Sequence, residues 1–353
     1  MKKILLTGGG TAGHVTPHIA LLPTLAAEGY AAIYVGRHSG IEKDLIEKCG
    51  LPYFGIASGK LRRYFDMQNV KDAFNVLRGL SDAIHIVRRE KPDVIFSKGG
   101  FVAVPVVVAG RLCRVPVVIH ESDMSPGLAN KLSIPFCNAI CVSFPETMPH
   151  LPKHKTILTG TPIRQALLQG DRRRGLALCG FHEHKPVVLV MGGSSGSVKI
   201  NACLRSALPT LLQSYQITHI CGKNNVDDTI RRPGYTQFDY IDDQLPDIMA
   251  AADVVVSRAG ANAIAEIAAL KKPALLIPLS KRASRGDQIL NAQSFARRGY
   301  GTTLLEENLH QDSLTEAIDH LCANRAAFVE KLSSDTFAGS ASAIIKVIRR
   351  YSL

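Results

Sequence analysis

Short apolar runs rich in valine and isoleucine recur at residues 3–7, 31–35, 94–97, 115–120 and 139–142, and again at 187–191, 217–220, 254–257 and 274–278. Most are continuously apolar, as expected of strands buried on both faces of a parallel sheet. Helical stretches separate them, including residues 17–28, 41–49 and 70–89. Strict alternation of the two predicts an α/β protein built from two doubly wound domains. Glycine and proline interrupt the pattern at Thr159-Gly160-Thr161-Pro162. The chain is therefore expected to divide into residues 1–160 and 161–340, with a basic amphipathic helix at 341–353 returning to the first domain.

Each half opens with a strand, a glycine-rich loop and a helix start. The first loop reads Gly8-Gly9-Gly10-Thr11-Ala12-Gly13-His14, the second Gly192-Gly193-Ser194-Ser195-Gly196. Glycine lets backbone N–H groups approach a phosphate, and the helix N-terminus behind favours its charge. Two such units predict twin nucleotide-type domains facing a cleft that holds a phosphorylated donor. Gly8, Gly10 and Gly13 also satisfy the dinucleotide fingerprint, but the second strand ends Val35-Gly36-Arg37-His38, without the carboxylate that would hold a ribose. Only Arg37, suited to a 2′-phosphate, speaks for a dehydrogenase.

His14 stands at a helix N-terminus, where the dipole disfavours imidazolium and leaves a neutral ring able to accept a proton. His18 lies one turn on, but Val15 occupies the place of a zinc hydrolase's glutamate. Cys137, Cys141, His150 and His154 lack the spacing of a zinc finger, so no metal is expected. Two further loops, Lys98-Gly99-Gly100-Phe101 and the stretch from His120-Glu121-Ser122-Asp123 to Gly127, follow strands in the first half. Ligands bind at the carboxyl ends of such strands. In the second half Glu266 is the lone charge of an apolar helical segment, and an unpaired buried carboxylate is costly. Sugar hydroxyls would serve it. The basic loop 280–286 leads to Gln288 and Asn291 on one helical face.

A length of 353 residues suits two cores, and 46% hydrophobic with 20% charged residues suits a folded chain. The net charge of +12 points to an anionic partner. Absence of tryptophan and only 6% aromatic residues weigh against stacking on single-stranded nucleic acid, and no nucleic-acid partner is expected. The eight cysteines are scattered, as reduced thiols of a cytosolic protein would be. Met1-Lys2-Lys3 and the brief apolar run after it are too short for a signal peptide. No run reaches the ~18 apolar residues of a spanning helix. A cytoplasmic protein with peripheral membrane contact is expected.

Taken in order, the motifs resemble the MurG family, peptidoglycan N-acetylglucosaminyltransferases of the GT-B architecture. The pieces are GGGTAGHVTP at 8–17, GGFVAVP at 99–105, HESD…PG…NK at 120–131, GTPIR at 160–164, GGSSG at 192–196, YIDD at 240–243, SRAGANAIAE at 257–266 and DQ…N at 287–291. The resemblance implies transfer of N-acetylglucosamine from UDP-GlcNAc to lipid I, the muramyl-pentapeptide on undecaprenyl diphosphate, giving lipid II. It implies a donor site in the second domain: Ile241 capping uracil, Glu266 on ribose, Arg164 and Ser194 at the diphosphate, Gln288 on the sugar, with Ala261 and Asn262 beside them and Thr11, Ala12 and Gly13 reaching the donor from the first loop. Gly10, Gly99 and Gly100 would cradle the acceptor diphosphate, and His14, with Glu121 as the alternative, would be the base of an inverting displacement needing no cofactor. Ser122-Asp123 stand where many relatives carry Gln-Asn, and Ala12 stands where a glycine is usual, which narrows the permitted backbone.

A lipid-bound acceptor implies work at the anionic inner surface of the bacterial cell membrane. The stretch 60–91 carries Lys60, Arg62, Arg63, Lys71, Arg78, Arg88 and Arg89 beside Phe65, Phe74, Leu77, Leu80 and Ile84. Part of it is expected to form an interfacial patch.

Overall fold

The computed structural model describes residues 1–59, 68–193, 196–281, 284–335 and 339–353, with the backbone alone for 68–74. The chain divides into two units, Met1–Ile163 with Gly339–Leu353, and Arg164–Ala338.

The first unit holds β1 (Lys2–Thr7), β2 (Tyr30–Arg37), β3 (Tyr53–Ile56), β4 (Val94–Ser97), β5 (Val117–Glu121), β6 (Ala139–Val142) and β7 (Thr156–Leu158). They form one sheet in the order β3-β2-β1-β4-β5-β6-β7, every pair parallel. Successive side chains point to opposite faces. Leu6 and Phe96 thus meet one core with Leu21 and Leu25, while Leu5 and Ile95 meet another with Val106 and Val107. The helix Ser340–Tyr351 closes the first of these faces with Ile344, Ile345 and Ile348. Each such side chain contributes roughly 1.5–3 kcal/mol by leaving water.

The second unit holds β8 (Val187–Met191), β9 (Gln216–Ile220), β10 (Tyr235–Phe238), β11 (Val254–Ser257), β12 (Ala274–Leu276) and β13 (Gly301–Thr303). Their order is β10-β9-β8-β11-β12-β13, again all parallel. Both sheets therefore wind outward in two directions from a central pair, β1/β4 and β8/β11, and each unit is a Rossmann-like doubly wound domain. The loops after those central strands emerge at the switch point, where open sheets of this kind take ligands.

Candidate functional site

In the first unit Thr7 lies opposite Ser97, so the loops that follow β1 and β4 leave the sheet together. The first loop ends in the tight turn Ala12–His14, ahead of the helix Thr16–Ala27. Gly10 has φ +90° and Gly100 φ +86°, conformations that strain any side chain. A Cβ on Gly100 would strike the Gly9 carbonyl, so the two loops touch backbone to backbone. Ala12 is not among the positive-φ residues, so its backbone lies within the range that alanine permits.

A Cβ on Gly9 would lie 2.8 Å from Oε1 of Glu42, a buried carboxylate that the sequence reading misses. Arg37 Nε donates to that oxygen at 2.7 Å. Burial works against the Glu42 charge, but Arg37 and the Gly10 N–H hold its pKa below the usual carboxylate range. Arg37 is thus engaged beneath the loop, which corrects its reading as a 2′-phosphate ligand.

His14 is half-buried, with Nδ1 3.2 Å from Thr11 Oγ1. His18 is fully buried. The Tyr34 hydroxyl donates to the Gly8 carbonyl at 2.8 Å, so its oxygen accepts from His18 Nδ1 at 3.3 Å. Burial keeps the His18 pKa well below its ordinary value. A neutral ring so held supports the glycine loop.

Glu121 ends β5 with its carboxylate occupied. Oε1 accepts the Asp123 N–H at 3.0 Å, and Oε2 accepts the Gly127 N–H at 2.8 Å and Asn130 Nδ2 at 2.9 Å. This geometry makes it a brace for residues 122–127, with three of its acceptor sites already taken. Beside it the buried Lys98 ammonium reaches His120 Nδ1 at 2.7 Å and Ser122 Oγ at 2.5 Å. Burial pushes the Lys98 pKa down to about 7, against the opposing pull of Glu121 and Asp123.

In the second unit Ser257 lies opposite Met191, and the loops after β8 and β11 emerge together. Gly193 and Gly196 have φ of +92° and +74°. Ser197 caps the helix Val198–Ser214, its Oγ accepting the Ile200 N–H and, at 2.7 Å, Arg258 Nη2. The same buried guanidinium reaches the Ile277 carbonyl at 3.2 Å and the Glu306 carboxylate. Arg258 and Glu306 thus tie the ends of β8, β11 and β12 together, a role the sequence reading does not assign them.

Arg164 and Glu266 meet directly. Nε donates to Oε1 at 3.0 Å and Nη2 to Oε2 at 3.2 Å, while Nη1 lies 3.8 Å from Asp242 Oδ1. Ala261 and Asn262 open the helix Ala261–Ala269, which carries Glu266. Ile241 is buried in the same core as Ala259 and Ile264. Gln288 is the second residue of a further helix, Asp287–Arg297, and its Oε1 accepts the Leu279 N–H at 3.1 Å. Ser194 lies outside the described residues. Three helix N-termini thus gather beyond this sheet, an arrangement that favours an anion. Among the described residues no three His, Cys, Asp or Glu side chains group as a metal site would require.

Two family models match the chain: the glycosyltransferase family 28 N-terminal domain over residues 4–142, and its C-terminal domain over residues 187–347. A Clostridium botulinum protein named UDP-N-acetylglucosamine–N-acetylmuramyl-(pentapeptide) pyrophosphoryl-undecaprenol N-acetylglucosamine transferase is 52% identical over 99% of both chains. A Bacillus cereus protein of that name, with the numeral 2 appended, is 56% identical over 93% of this chain and 94% of its own. The crystal structure of Acinetobacter baumannii MurG matches with a TM-score of 0.77 at 22% identity, covering 99% of this chain and 100% of that one. A putative UDP-N-acetylglucosamine 2-epimerase from Listeria monocytogenes matches at 0.69 with 10% identity, over 99% and 97%. At those identities the two structures speak for the fold alone.

Proposed function

The chain belongs to glycosyltransferase family 28, and from that membership we infer its reaction: it transfers N-acetylglucosamine from UDP-GlcNAc to lipid I, giving lipid II for peptidoglycan. The observation that carries this reading is identity of 52% to a transferase bearing that name, over 99% of both chains. The epimerase likeness, at 10% identity, extends to architecture and no further.

The second unit takes the donor. Arg164 and the helix N-termini meet the UDP diphosphate, and Glu266 meets ribose, so the Arg164–Glu266 fork must open or share its oxygens when UDP binds. Ile241, Ala261, Asn262 and Gln288 line that site, with Ser194 on the glycine loop. The first unit takes the acceptor: Gly10, Gly99 and Gly100 receive its diphosphate, and Thr11, Ala12 and Gly13 form the turn that carries His14.

The chemistry is a single displacement with inversion. An acceptor hydroxyl oxygen bonds to the anomeric carbon while the bond from that carbon to the UDP oxygen breaks, UDP leaving with the electron pair. The hydroxyl proton passes to His14 Nε2. That assignment requires Nδ1 to carry the ring's own proton, with Thr11 Oγ1, 3.2 Å away, in reach to accept it. Positive charge and helix N-termini stabilise the departing diphosphate. Such transfer passes through an oxocarbenium-like state.

The protein works peripherally, at the cytoplasmic face of the cell membrane where lipid I resides. Among the described residues no helix is long and apolar enough to cross a membrane. The deciding experiment supplies labelled UDP-GlcNAc with and without a lipid-linked muramyl acceptor. Acceptor-dependent release of UDP with label in the lipid product supports the reading; altered free sugar formed without acceptor overturns it.

A further inference from the structure

Lys98 lies inside the first unit, 2% exposed, at the start of the loop that carries Gly99 and Gly100. Its partners fix which way protons point. His120 Nε2 lies 2.9 Å from the Gly160 carbonyl, which can only accept, so the ring's proton sits on Nε2. His120 Nδ1 must then accept, and Lys98 Nζ donates to it at 2.7 Å. Burial keeps the His120 pKa well below its ordinary value, with the Lys98 charge acting in the same direction. Lys98 also donates to Ser122 Oγ at 2.5 Å. The half-exposed Ser122 hydroxyl is thus an acceptor on its inner side, and its own proton finds no acceptor among the described residues. Gly99 and Gly100, with φ of +83° and +86°, follow directly after Lys98, and the Gly99 N–H donates to Ser97 Oγ at 3.2 Å.

We propose that Lys98 is a positioning residue for the acceptor: its ammonium, held between His120 and Ser122, turns the Ser122 hydroxyl proton outward and supplies the buried positive charge for a diphosphate seated on Gly99 and Gly100. Donation at this corner comes from a lysine-backed serine. The inference rests on the proposed acceptor site in the first unit and adds to it the group that confers affinity for the anion.

The charge is sensitive to pH. Desolvation lowers the ammonium's pKa to about 7, while Glu121, Asp123 and the Cys141 thiol pull the other way. His120 and His18, the neighbouring titratable rings, are both held neutral by burial. Raising pH above about 7 therefore converts Lys98 to an amine in the free protein, and the acceptor must then bring a proton with it.

The test measures kcat and both KM values for the full-length protein between pH 6 and 9, with UDP-GlcNAc and a lipid-linked muramyl diphosphate acceptor. For the unaltered chain, acceptor KM is expected to rise above pH 7, while UDP-GlcNAc KM stays flat. Lys98→Met should raise acceptor KM by about ten- to a hundredfold and remove that rise, leaving UDP binding by calorimetry unchanged. Ser122→Ala, on a half-exposed loop, should raise acceptor KM about fivefold or more, and the double variant should be no worse than Lys98→Met. An acceptor KM unmoved by either substitution, or a pH dependence that survives Lys98→Met, overturns the inference while the proposed reaction stands. Absence of transfer by the unaltered chain removes the proposed reaction, and this inference with it. If Lys98→Met does not fold, Ser122→Ala alone decides, since its acceptor KM must rise.

Discussion

The Arg164 guanidinium and the Glu266 carboxylate form a two-bond fork, Nε to Oε1 at 3.0 Å and Nη2 to Oε2 at 3.2 Å. Two groups assigned to different parts of one nucleotide therefore hold each other. Removing either partner changes binding in two ways: a ligand contact is lost, and the surviving charge is left without its mate.

Glu266→Ala is expected to weaken UDP binding by ~1.5–3 kcal/mol, roughly ten- to a hundredfold, through loss of a charge-assisted hydrogen bond to ribose. Glu266→Gln, which keeps one acceptor oxygen for Arg164, should fall between. Calorimetry with UDP measures both. Affinity unchanged in the alanine variant refutes a ribose contact.

His14→Ala should lower kcat by about 10²–10⁴ while UDP affinity stays near normal, as loss of a general base does. Thr11→Val removes the Nδ1 partner without changing side-chain size. It should lower kcat by a smaller factor and shift the acidic limb of the pH–rate profile. Near-normal turnover of His14→Ala at saturating substrates would exclude the ring as the base.

The basic, apolar segment predicts binding to vesicles that contain anionic lipid, weakened by salt, with about 1 kcal/mol from each basic residue near the surface. In the helix Gln68–Glu90, Leu80 and Ile84 pack on the core of the first unit, whereas Leu77 is 67% exposed. Leu77→Ser is therefore the informative change, and Leu80→Ser is expected to disturb the fold. Lys60, Arg62, Arg63 and Phe65 lie outside the described residues, as do the side chains of Lys71 and Phe74. Equal partitioning onto neutral and anionic vesicles, indifferent to Leu77→Ser, moves the membrane face elsewhere.

The buried ammonium of Lys98 also links stability to pH. Its pKa is near 7 in the folded chain, below the ordinary lysine value of 10.5. Between those values the unfolded chain binds more protons, so stability rises with pH, by up to about 1.4 kcal/mol per unit. Urea unfolding from pH 7 to 9 should show that rise in the unaltered protein, and Lys98→Met should flatten it.

The inner strands are legible in the sequence because both faces are covered. β4, β6, β8 and β11 span the residues that their apolar runs predict. The strands it does not reveal are β3, β7, β10 and β13, the four edges of the two sheets. Tyr53, Thr156, Gln237 and Thr302 sit in them, and a half-covered edge needs no unbroken apolar run. The glycine loops are legible because their backbone demands glycine. Glu42 under Gly9, Lys98 against Ser122 and Arg258 against Glu306 are not, since each joins segments that only the folded sheet brings together.

Because the Gly9 carbonyl occupies the space a Gly100 side chain would need, the two loops are cut from a single volume. For anyone wishing to broaden the range of acceptors, they are one exchangeable cassette: grafting a loop that brings a side chain to position 100 imports a collision with the first loop, while moving both as a matched set preserves their seam.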